Sequence, residues 1–250
     1  MFDNFYLKSL EIEYEKIPKE NYIAELNVVK NIKKLDFKKP VTFFVGENGL
    51  GKSTLIEAIA TKWGFNAEGG SIHFNFNTKR TESNLNQYVN LIKGAYRPRD
   101  GYFIRAESLY NVASNIDDLD SIKCNAPLVS EAYGGKSLHK QSHGESFLSI
   151  FFKRFKGHGL YILDEPEAAL SPVSQFSLLV RIKELVNLNS QFIIATHSPI
   201  LLAFPDAQIY EIKKNKVEEV SYNETEHYMT MKSFFDDTDR TVDSLLNGID

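Results

Sequence analysis

An apolar run that leads directly into a glycine-rich loop limits the possible folds of this chain more than any other feature. The run "PVTFFVG" spans residues 40–46 and is rich in β-branched and aromatic residues, as is typical of a buried strand. The loop "GENGLGKST" spans residues 46–54, and "GKSTLIEAIATKWG" (51–64) has the pattern of a helix that ends at Gly64. Such a strand, loop and helix form the context in which G-x-x-x-x-G-K-[ST] binds phosphate.

The residue types in this loop suit a phosphate ligand for separate physical reasons. Gly46, Gly49 and Gly51 let the backbone turn tightly and present its N–H groups to oxyanions. The helix that begins near Gly51 adds its positive end. Lys52 is expected to reach the β- and γ-phosphates, and Ser53 to give Mg²⁺ a hydroxyl ligand. The predicted nucleotide-binding residues of the loop are Gly46, Glu47, Asn48, Gly49, Leu50, Gly51, Lys52, Ser53 and Thr54.

A second apolar strand, "GLYILDE" (159–165), ends in two acidic residues. If it runs parallel to the first strand, its carboxyl end lies beside the phosphate loop. Asp164 is then placed to hold the Mg²⁺ shell, and Glu165 to polarise the attacking water as a general base. The simpler alternative is a charged turn that caps the next helix, which Pro166 would start. Glu167 is predicted to have a structural role in the first turn of that helix.

A third strand, "QFIIATHS" (191–198), carries Thr196 and His197 at its carboxyl end. In a parallel sheet this end lies at the same edge as the phosphates. His197 is therefore predicted to hydrogen-bond a γ-phosphate oxygen or the attacking water. The alternative is a histidine that is satisfied within the fold and takes no part in chemistry.

Strands alternate with helices along the chain, and this order indicates a largely parallel sheet covered by helices. We therefore expect an α/β fold in a single domain (1–250), with a mostly helical lobe around residues 80–150. Residues 5–15 and 22–32 are expected to form N-terminal strands, although a helix is possible over 22–32. The remaining predictions are strands over 101–108 and 208–215, helices over 109–155 and 172–189, and a solvated turn before a short helix within 232–250.

Composition narrows the setting in which the protein works. The 250 residues are 42% hydrophobic and 25% charged, and the net charge of −4 gives no overall attraction to nucleic acid or anionic membranes. The lone Cys124 excludes an intrachain disulfide and fits a reducing compartment. We expect no secretory signal, and no apolar run reaches the ~18–20 residues of a membrane span. A cytoplasmic protein without a membrane partner is expected.

One local group of basic residues stands out, formed by Arg97, Arg99 and Arg105. These arginines could contact a nucleotide or a nucleic acid. The alternative is a solvated face on which they form salt bridges with neighbouring acidic residues.

Together these segments resemble the ATP-binding-cassette type of P-loop ATPase. "GENGLGKST", "QSHGES", "LYILDEPEAALSP" and "IIATHSP" appear in the order typical of that superfamily, and the resemblance covers nearly the whole chain. The chain is similar in particular to small bacterial predicted ATPases of the AAA family. That group is nearer the chromosome-maintenance and double-strand-break-repair ATPases than the transporter subunits. The resemblance implies a mostly parallel core sheet, an antiparallel N-terminal strand region and a helical lobe.

The resemblance also implies a homodimer in which two chains, arranged head to tail, hold ATP and Mg²⁺ between them. Ser142 and Gly144 match the superfamily signature and would contact the γ-phosphate held by the other chain. The helix that starts near Glu145 would direct its N-terminus at the same charge. His143 and Glu145 depart from the usual L-S-G-G-Q pattern. Glu107 stands where the superfamily has a metal-contacting glutamine, unless it only caps a helix.

The function implied by the resemblance is that of an ATPase that dimerises on ATP and separates after hydrolysis. It would drive or gate a partner, such as an effector or a nuclease, in DNA maintenance or defence against foreign DNA. Contact with nucleic acid stays open. Two alternatives remain: a nucleotide-dependent switch with little turnover, and the energising subunit of a transporter. The presence of Glu165 argues against the first, and the "EAALSP" continuation argues against the second.

Overall fold

The structure is a computed structural model that describes residues 5–72, 83–122 and 127–248; Cys124 lies outside these ranges. The strands are β1 (Leu7–Ile12), β2 (Lys34–Asp36), β3 (Val41–Gly46), β4 (Val89–Lys93), β5 (Asp100–Arg105), β6 (Gly159–Asp164), β7 (Gln191–Ala195), β8 (Gln208–Ile212) and β9 (Val217–Val220). The helices are α1 (Asn27–Asn31), α2 (Lys52–Trp63), α3 (Leu109–Ser121), α4 (His143–Ser149), α5 (Pro172–Asn187), α6 (Pro199–Leu202), α7 (Glu226–Asp236) and α8 (Thr238–Asn247).

A six-stranded sheet in the order β5–β6–β7–β3–β8–β9 forms the centre of the fold. The first five strands are parallel, and β9 runs antiparallel to β8. Strands β3, β6, β7 and β8 are buried along their whole length, and in β3, β6 and β7 this burial explains the apolar runs of the sequence. The predicted mostly parallel core sheet is confirmed. Because the strands are parallel, Gly46, Arg105, Asp164 and Ala195 end their strands at one edge.

A smaller antiparallel sheet, in the order β2–β1–β4, forms the N-terminal region. The strand predicted over 5–15 is confirmed as β1, but the strand predicted over 22–32 is wrong. That segment folds as a 3-10 turn followed by α1, so the helical alternative is the correct one. Asn21 begins the turn by accepting a hydrogen bond from the Ile23 N–H (3.2 Å), as a capping residue does.

Two apolar layers pack against opposite faces of the central sheet. Along β3, Phe44 faces the layer that contains β1, α1 and α2. Its neighbours Phe43 and Val45 face the layer formed by α3, α4, α5 and α6. This alternation follows from the two-residue period of a strand. Phe43 and Phe44 are completely buried, and burial of each side chain stabilises the fold by about 1.5–3 kcal/mol. The two layers therefore fix the position of β3 and of the loop that follows it.

The helical lobe is shorter than predicted. Of this expected lobe, the described residues 83–105 include a 3-10 turn (Asn84–Gln87), β4 and β5, and its α-helices among the described residues begin only after Arg105. The strand predicted over 101–108 ends at Arg105 and is followed by the 3-10 turn Ala106–Ser108. The helical prediction for 109–155 corresponds to α3, α4, several 3-10 turns and a π-helical segment, Ile150–Arg154. The single-domain boundary (1–250) stays a prediction.

The helix predicted over 172–189 is confirmed as α5. The solvated turn predicted in the last segment lies at Asp237, between α7 and α8, but α7 itself was not predicted. Within residues 5–72, 83–122 and 127–248, none of the helices combines the length and apolar character that crossing a membrane requires.

Candidate nucleotide site

The glycines of the loop after β3 are required by its geometry. Gly46 has a φ of +147°, and a Cβ atom there would lie 2.3 Å from the carbonyl oxygen of Ile212. Gly51 has a φ of +96°, and its Cβ would lie 2.6 Å from Cγ1 of Val28. Both positions therefore exclude a side chain, on conformational and on steric grounds. The exposed tip of the loop consists of Glu47, Asn48 and Gly49, and Leu50 is buried behind it.

Lys52 lies within the curve of this loop. Its side chain is buried, and Nζ donates hydrogen bonds to the carbonyl oxygens of Gly46 and Glu47, both at 2.8 Å. Burial lowers the pKa of Lys52, while the charges of Glu165 and Asp164 oppose that shift. No side chain caps the start of α2, where Ser53 and Thr54 lie. The loop thus combines a buried cation with an uncapped helix start, a combination that suits an anion.

Ser53 and Asp164 meet across the edge of the sheet. The Ser53 Oγ donates a hydrogen bond to Asp164 Oδ1 at 3.0 Å. Burial raises the pKa of Asp164 to about 6, although the nearby Arg105 charge acts in the opposite direction. A hydroxyl and a carboxylate are hard oxygen ligands of the kind that Mg²⁺ takes, so these residues fit that ion. In the part of the chain that the structure describes, no group of three or more His, Cys, Asp or Glu side chains could hold a metal alone.

Arg105 belongs to this site and not to a solvated basic face. Its Nη1 lies 2.7 Å from Glu57 Oε2, and its Nε lies 3.4 Å from Asp164 Oδ2. Arg97 and Arg99 are exposed, so the basic group suggested by the sequence is divided. Glu57 was missed by the sequence analysis, although a glutamate within the apolar stretch of a helix was a usable signal. Arg105 therefore compensates two buried carboxylates.

Glu165 and His197 lie close together at the same edge. Glu165 has a left-handed backbone conformation (φ +50°), and its N–H donates to the carbonyl oxygen of Ala195 at 3.0 Å. Its side chain is 40% exposed, and Oε1 lies 3.6 Å from His197 Nε2. Conformations of this kind cost about 1–3 kcal/mol and persist where the surroundings fix them, often at functional sites. The structure thus brings together two residues that the sequence analysis assigned to catalysis.

Glu167 connects the loops that follow β6 and β7. Its carboxylate accepts hydrogen bonds from the His197 N–H and from the Thr196 hydroxyl, the latter at 2.8 Å. Burial raises its pKa, while those hydrogen bonds act in the opposite direction. Glu167 lies in the first turn of a 3-10 segment, as predicted, but the structure shows its carboxylate bonded to the residues that follow β7.

His197 has a neighbour that no motif indicated. Its Nδ1 lies 3.0 Å from Nε2 of His227, a residue of α7. His197 Nε2 is buried and has no hydrogen-bond partner in the structure. Burial, with smaller effects of the Lys52 charge and of His227, lowers the pKa of His197 to about 4. His197 is therefore a neutral imidazole near pH 7.

The signature residues lie at the start of α4. The Ser142 Oγ accepts from the Glu145 N–H (3.3 Å), and the Glu145 carboxylate accepts from the Ser142 N–H (2.9 Å) and hydroxyl (2.8 Å). These bonds lower the pKa of Glu145. Ser142 and Glu145 are exposed, and a Cβ on Gly144 would lie 3.0 Å from the carbonyl oxygen of Ala169. The signature therefore contacts the loop that follows Glu165.

Glu107 lies in the turn that follows β5. It is exposed, in the 3-10 turn two residues after Arg105. Ser108, not Glu107, is the N-cap residue of α3. Glu107 therefore does not cap α3, and the capping alternative is wrong. The role of Glu107 as a metal ligand stays a prediction.

Comparisons with known proteins identify the family. A family model described as "AAA ATPase domain" matches residues 66–202, which is more than half of the chain. The chain belongs to the AAA ATPase domain family. No curated protein matches this AAA ATPase.

Solved structures show which fold this AAA ATPase shares. CbiO1 from Clostridium perfringens, part of the ABC transporter complex cbiONQ, is 18% identical with a TM-score of 0.51, over 93% of this chain and 96% of that one. MJ1267, an ATP-binding cassette of an ABC transporter in its ADP conformation, is 16% identical with the same TM-score, over 94% and 96%. The head domain of SMC from Thermotoga maritima is 16% identical with a TM-score of 0.45, over 86% and 98%. The first two confirm the predicted fold of the ATP-binding-cassette type.

Proposed function

We propose that this AAA ATPase binds Mg-ATP at the loop Gly46–Thr54 and hydrolyses it to ADP and phosphate. The observation that supports this most strongly is the contact between Ser53 and Asp164, because it joins the phosphate loop to the acidic end of β6. Lys52 brings a positive charge to the same place. Mg²⁺, when bound, would be held by Ser53 and Asp164 and would neutralise charge on the β- and γ-phosphates.

In this proposal Glu165 is the general base. Its side chain is partly exposed, so water can reach it, and it lies beside His197. Glu165 accepts the proton of the attacking water, while His197 hydrogen-bonds a γ-phosphate oxygen through Nε2. The unpartnered, buried Nε2 supports this role, since buried polar atoms normally have a partner. Lys52 and the start of α2 stabilise the charge on the transferred group.

We further propose that two copies hold the nucleotide between them, with Ser142 and Gly144 of each copy facing the loop Gly46–Thr54 of the other. The exposure of Ser142 and Glu145 supports this arrangement. Because Gly144 lies against the carbonyl oxygen of Ala169, hydrolysis near Glu165 could be transmitted to the interface. Separation of the two copies would then drive or gate a partner protein, an effector or a nuclease, in DNA maintenance or defence in the cytoplasm.

Phosphate release under single-site variation tests the hydrolysis. The wild-type protein is expected to release phosphate from Mg-ATP above a Lys52→Ala blank, with and without DNA or RNA. Glu165→Gln should retain ATP binding and lose at least about 100-fold in kcat, because the general base is gone. Glu184→Gln, an exposed position on α5, is the matched control and should behave like the wild type. Wild-type turnover no higher than the Lys52→Ala blank would instead indicate a nucleotide switch.

A further inference from the structure

His227 lies outside the predicted motifs and forms a hydrogen bond with His197. It is the second residue of α7, thirty positions after His197, and the two rings lie 5.2 Å apart between centroids. The 3.0 Å contact joins His227 Nε2 to His197 Nδ1, so it uses the nitrogen of His197 that points away from Glu165. The other nitrogen, His197 Nε2, is the one that faces the Glu165 carboxylate.

The position of His227 is fixed by contacts with the central sheet. Thr225 is completely buried and begins α7, where its hydroxyl accepts from the Tyr228 N–H at 3.2 Å. The Glu226 N–H donates to Glu211 Oε1 at 2.8 Å. Glu211 is buried on β8 and pairs with Lys213 at 2.9 Å. The start of α7 is therefore anchored to the strand next to β3, and His227 approaches His197 from a fixed direction.

The direction of the histidine–histidine hydrogen bond decides which nitrogen of His197 carries its proton. Both rings are neutral, because burial lowers the pKa of each and the Lys52 charge acts in the same direction. One ring therefore donates and the other accepts. If His197 donated, its bare Nε2 would face the Glu165 carboxylate, and the buried Nδ1–H of His227 would have no acceptor. If His227 donates, His197 directs its Nε2–H towards Glu165 Oε1, 3.6 Å away, and the Nδ1 of His227 without a partner is a bare nitrogen.

The second arrangement is favoured on two counts. It places a donor, not a lone pair, opposite a negatively charged oxygen, and it leaves the buried Nδ1 of His227 as a lone pair and not as an N–H without an acceptor. We propose that His227 is a positioning residue that donates its Nε2–H to His197 Nδ1 and so holds His197 with its proton on Nε2. The assignment of the proton does not depend on hydrolysis. The role of that proton, which is to form a hydrogen bond to the γ-phosphate, rests on the proposed function.

Spectroscopy of the nucleotide-free protein tests the proton assignment. In histidine labelled with nitrogen-15, long-range proton–nitrogen correlations distinguish the two neutral tautomers, and variants of each histidine assign the signals. The wild type should show His197 protonated on Nε2 and bare on Nδ1. His227→Gln, which retains an N–H donor at the same reach, should preserve that pattern, and His227→Ala should lose it. Protonation of His197 on Nδ1 in the wild type would overturn the proposal.

Kinetics of the same variants test whether the positioning matters. His227→Ala should lower kcat for Mg-ATP by about 10- to 100-fold with little change in KM, because without His227 the ring of His197 is no longer held in position for the reaction. His227→Gln should recover most of that loss. Met229→Ala, an exposed position on the same helix, is the matched control and should leave kcat unchanged.

Two kinetic results would contradict the proposal: a His227→Ala variant as fast as the wild type, or a His227→Gln variant as slow as His227→Ala. Thermal unfolding of each variant shows whether it is folded. If His227→Ala does not fold, the wild-type spectrum and the rate of His227→Gln still decide the question. Absence of turnover in the wild type would reject the proposed function, and the spectra would still decide the proton assignment.

Discussion

Asp164 carries its charge in a place that water hardly reaches. Only 4% of the residue is exposed, and even the neighbouring Arg105 leaves its pKa raised to about 6. The proposed cation site is therefore held in place at a cost in stability when no cation is bound. Such a conflict is expected where function, not folding, selects the residue.

Asp164→Asn is expected to stabilise the nucleotide-free protein near pH 8. The folded-state pKa of about 6 lies above the ordinary 3.8, so stability from the bound proton is complete below about pH 4 and is lost as pH rises through 6. Asparagine stays neutral at every pH, so the variant avoids this loss of stability, which amounts to at most about 3 kcal/mol. Urea denaturation at pH 4, 6 and 8 should show an advantage for the variant that grows with pH. A variant less stable than the wild type at pH 8 would contradict this interpretation.

Several side chains of the site could not be predicted as members of it from the sequence. Lys52, Ser53, Asp164 and Glu165 belong to local motifs whose spacing has a physical reason, and the structure brings them together. Arg105 and His227 lie on elements far from these motifs and reach their partners Glu57 and His197 only in the folded chain. No local spacing relates Arg105 and His227 to the motifs, so only the three-dimensional arrangement reveals them, whereas Glu57 within the apolar stretch of α2 was a usable signal.

At the scale of elements, the connection from β3 through the loop to α2 carries the strictest conformational requirements. Gly46 lies against the end of β8, and Gly51 lies against Val28 of α1. The loop therefore packs against two elements that are far apart in sequence. These contacts fix the positions of its backbone N–H groups before any ligand binds. Gly49 has a φ of +80°, but a Cβ atom added there would have nothing within 4 Å, so this position meets only the conformational requirement.

Two alanine substitutions separate these requirements. Gly49→Ala should reduce the free energy of unfolding by about 1–2 kcal/mol, the cost of a left-handed conformation for a residue with a side chain. Gly46→Ala should cost more than about 3 kcal/mol, because it adds a clash with the backbone of Ile212. Chemical denaturation without nucleotide measures both. Equal losses would mean that the backbone at Ile212 moves away at no cost.

The elements that the sequence predicted wrongly depend on tertiary contacts. Residues 22–32 contain β-branched residues that favour a strand, yet α1 forms there and its Val28 N–H donates to the carbonyl oxygen of Leu50 at 3.2 Å. The strands β2, β4 and β9 are short and lie at the edges of their sheets. Their own patterns are weak, and pairing with a neighbour defines them. The buried strands β3, β6 and β7, by contrast, have apolar runs that suffice for prediction.

At the scale of the whole molecule, the central sheet places the ends of its five parallel strands at one edge between two apolar layers. The signature at the start of α4 lies on the exposed surface of the helical lobe and contacts the loop after β6. A single chain therefore has a phosphate loop, a base and an exposed signature. The proposed dimer gives that signature a ligand, the nucleotide held by the other chain.

The mass of the Glu165→Gln variant in solution tests this account most directly. Because the variant should bind ATP without hydrolysing it, it should form a dimer with saturating Mg-ATP at micromolar concentration and remain a monomer without nucleotide. Lys52→Ala should stay monomeric throughout, and Ser142→Arg should bind ATP yet stay monomeric, since its own loop is intact. Analytical ultracentrifugation measures each mass. A Glu165→Gln protein that binds Mg-ATP and stays monomeric would contradict the shared nucleotide site.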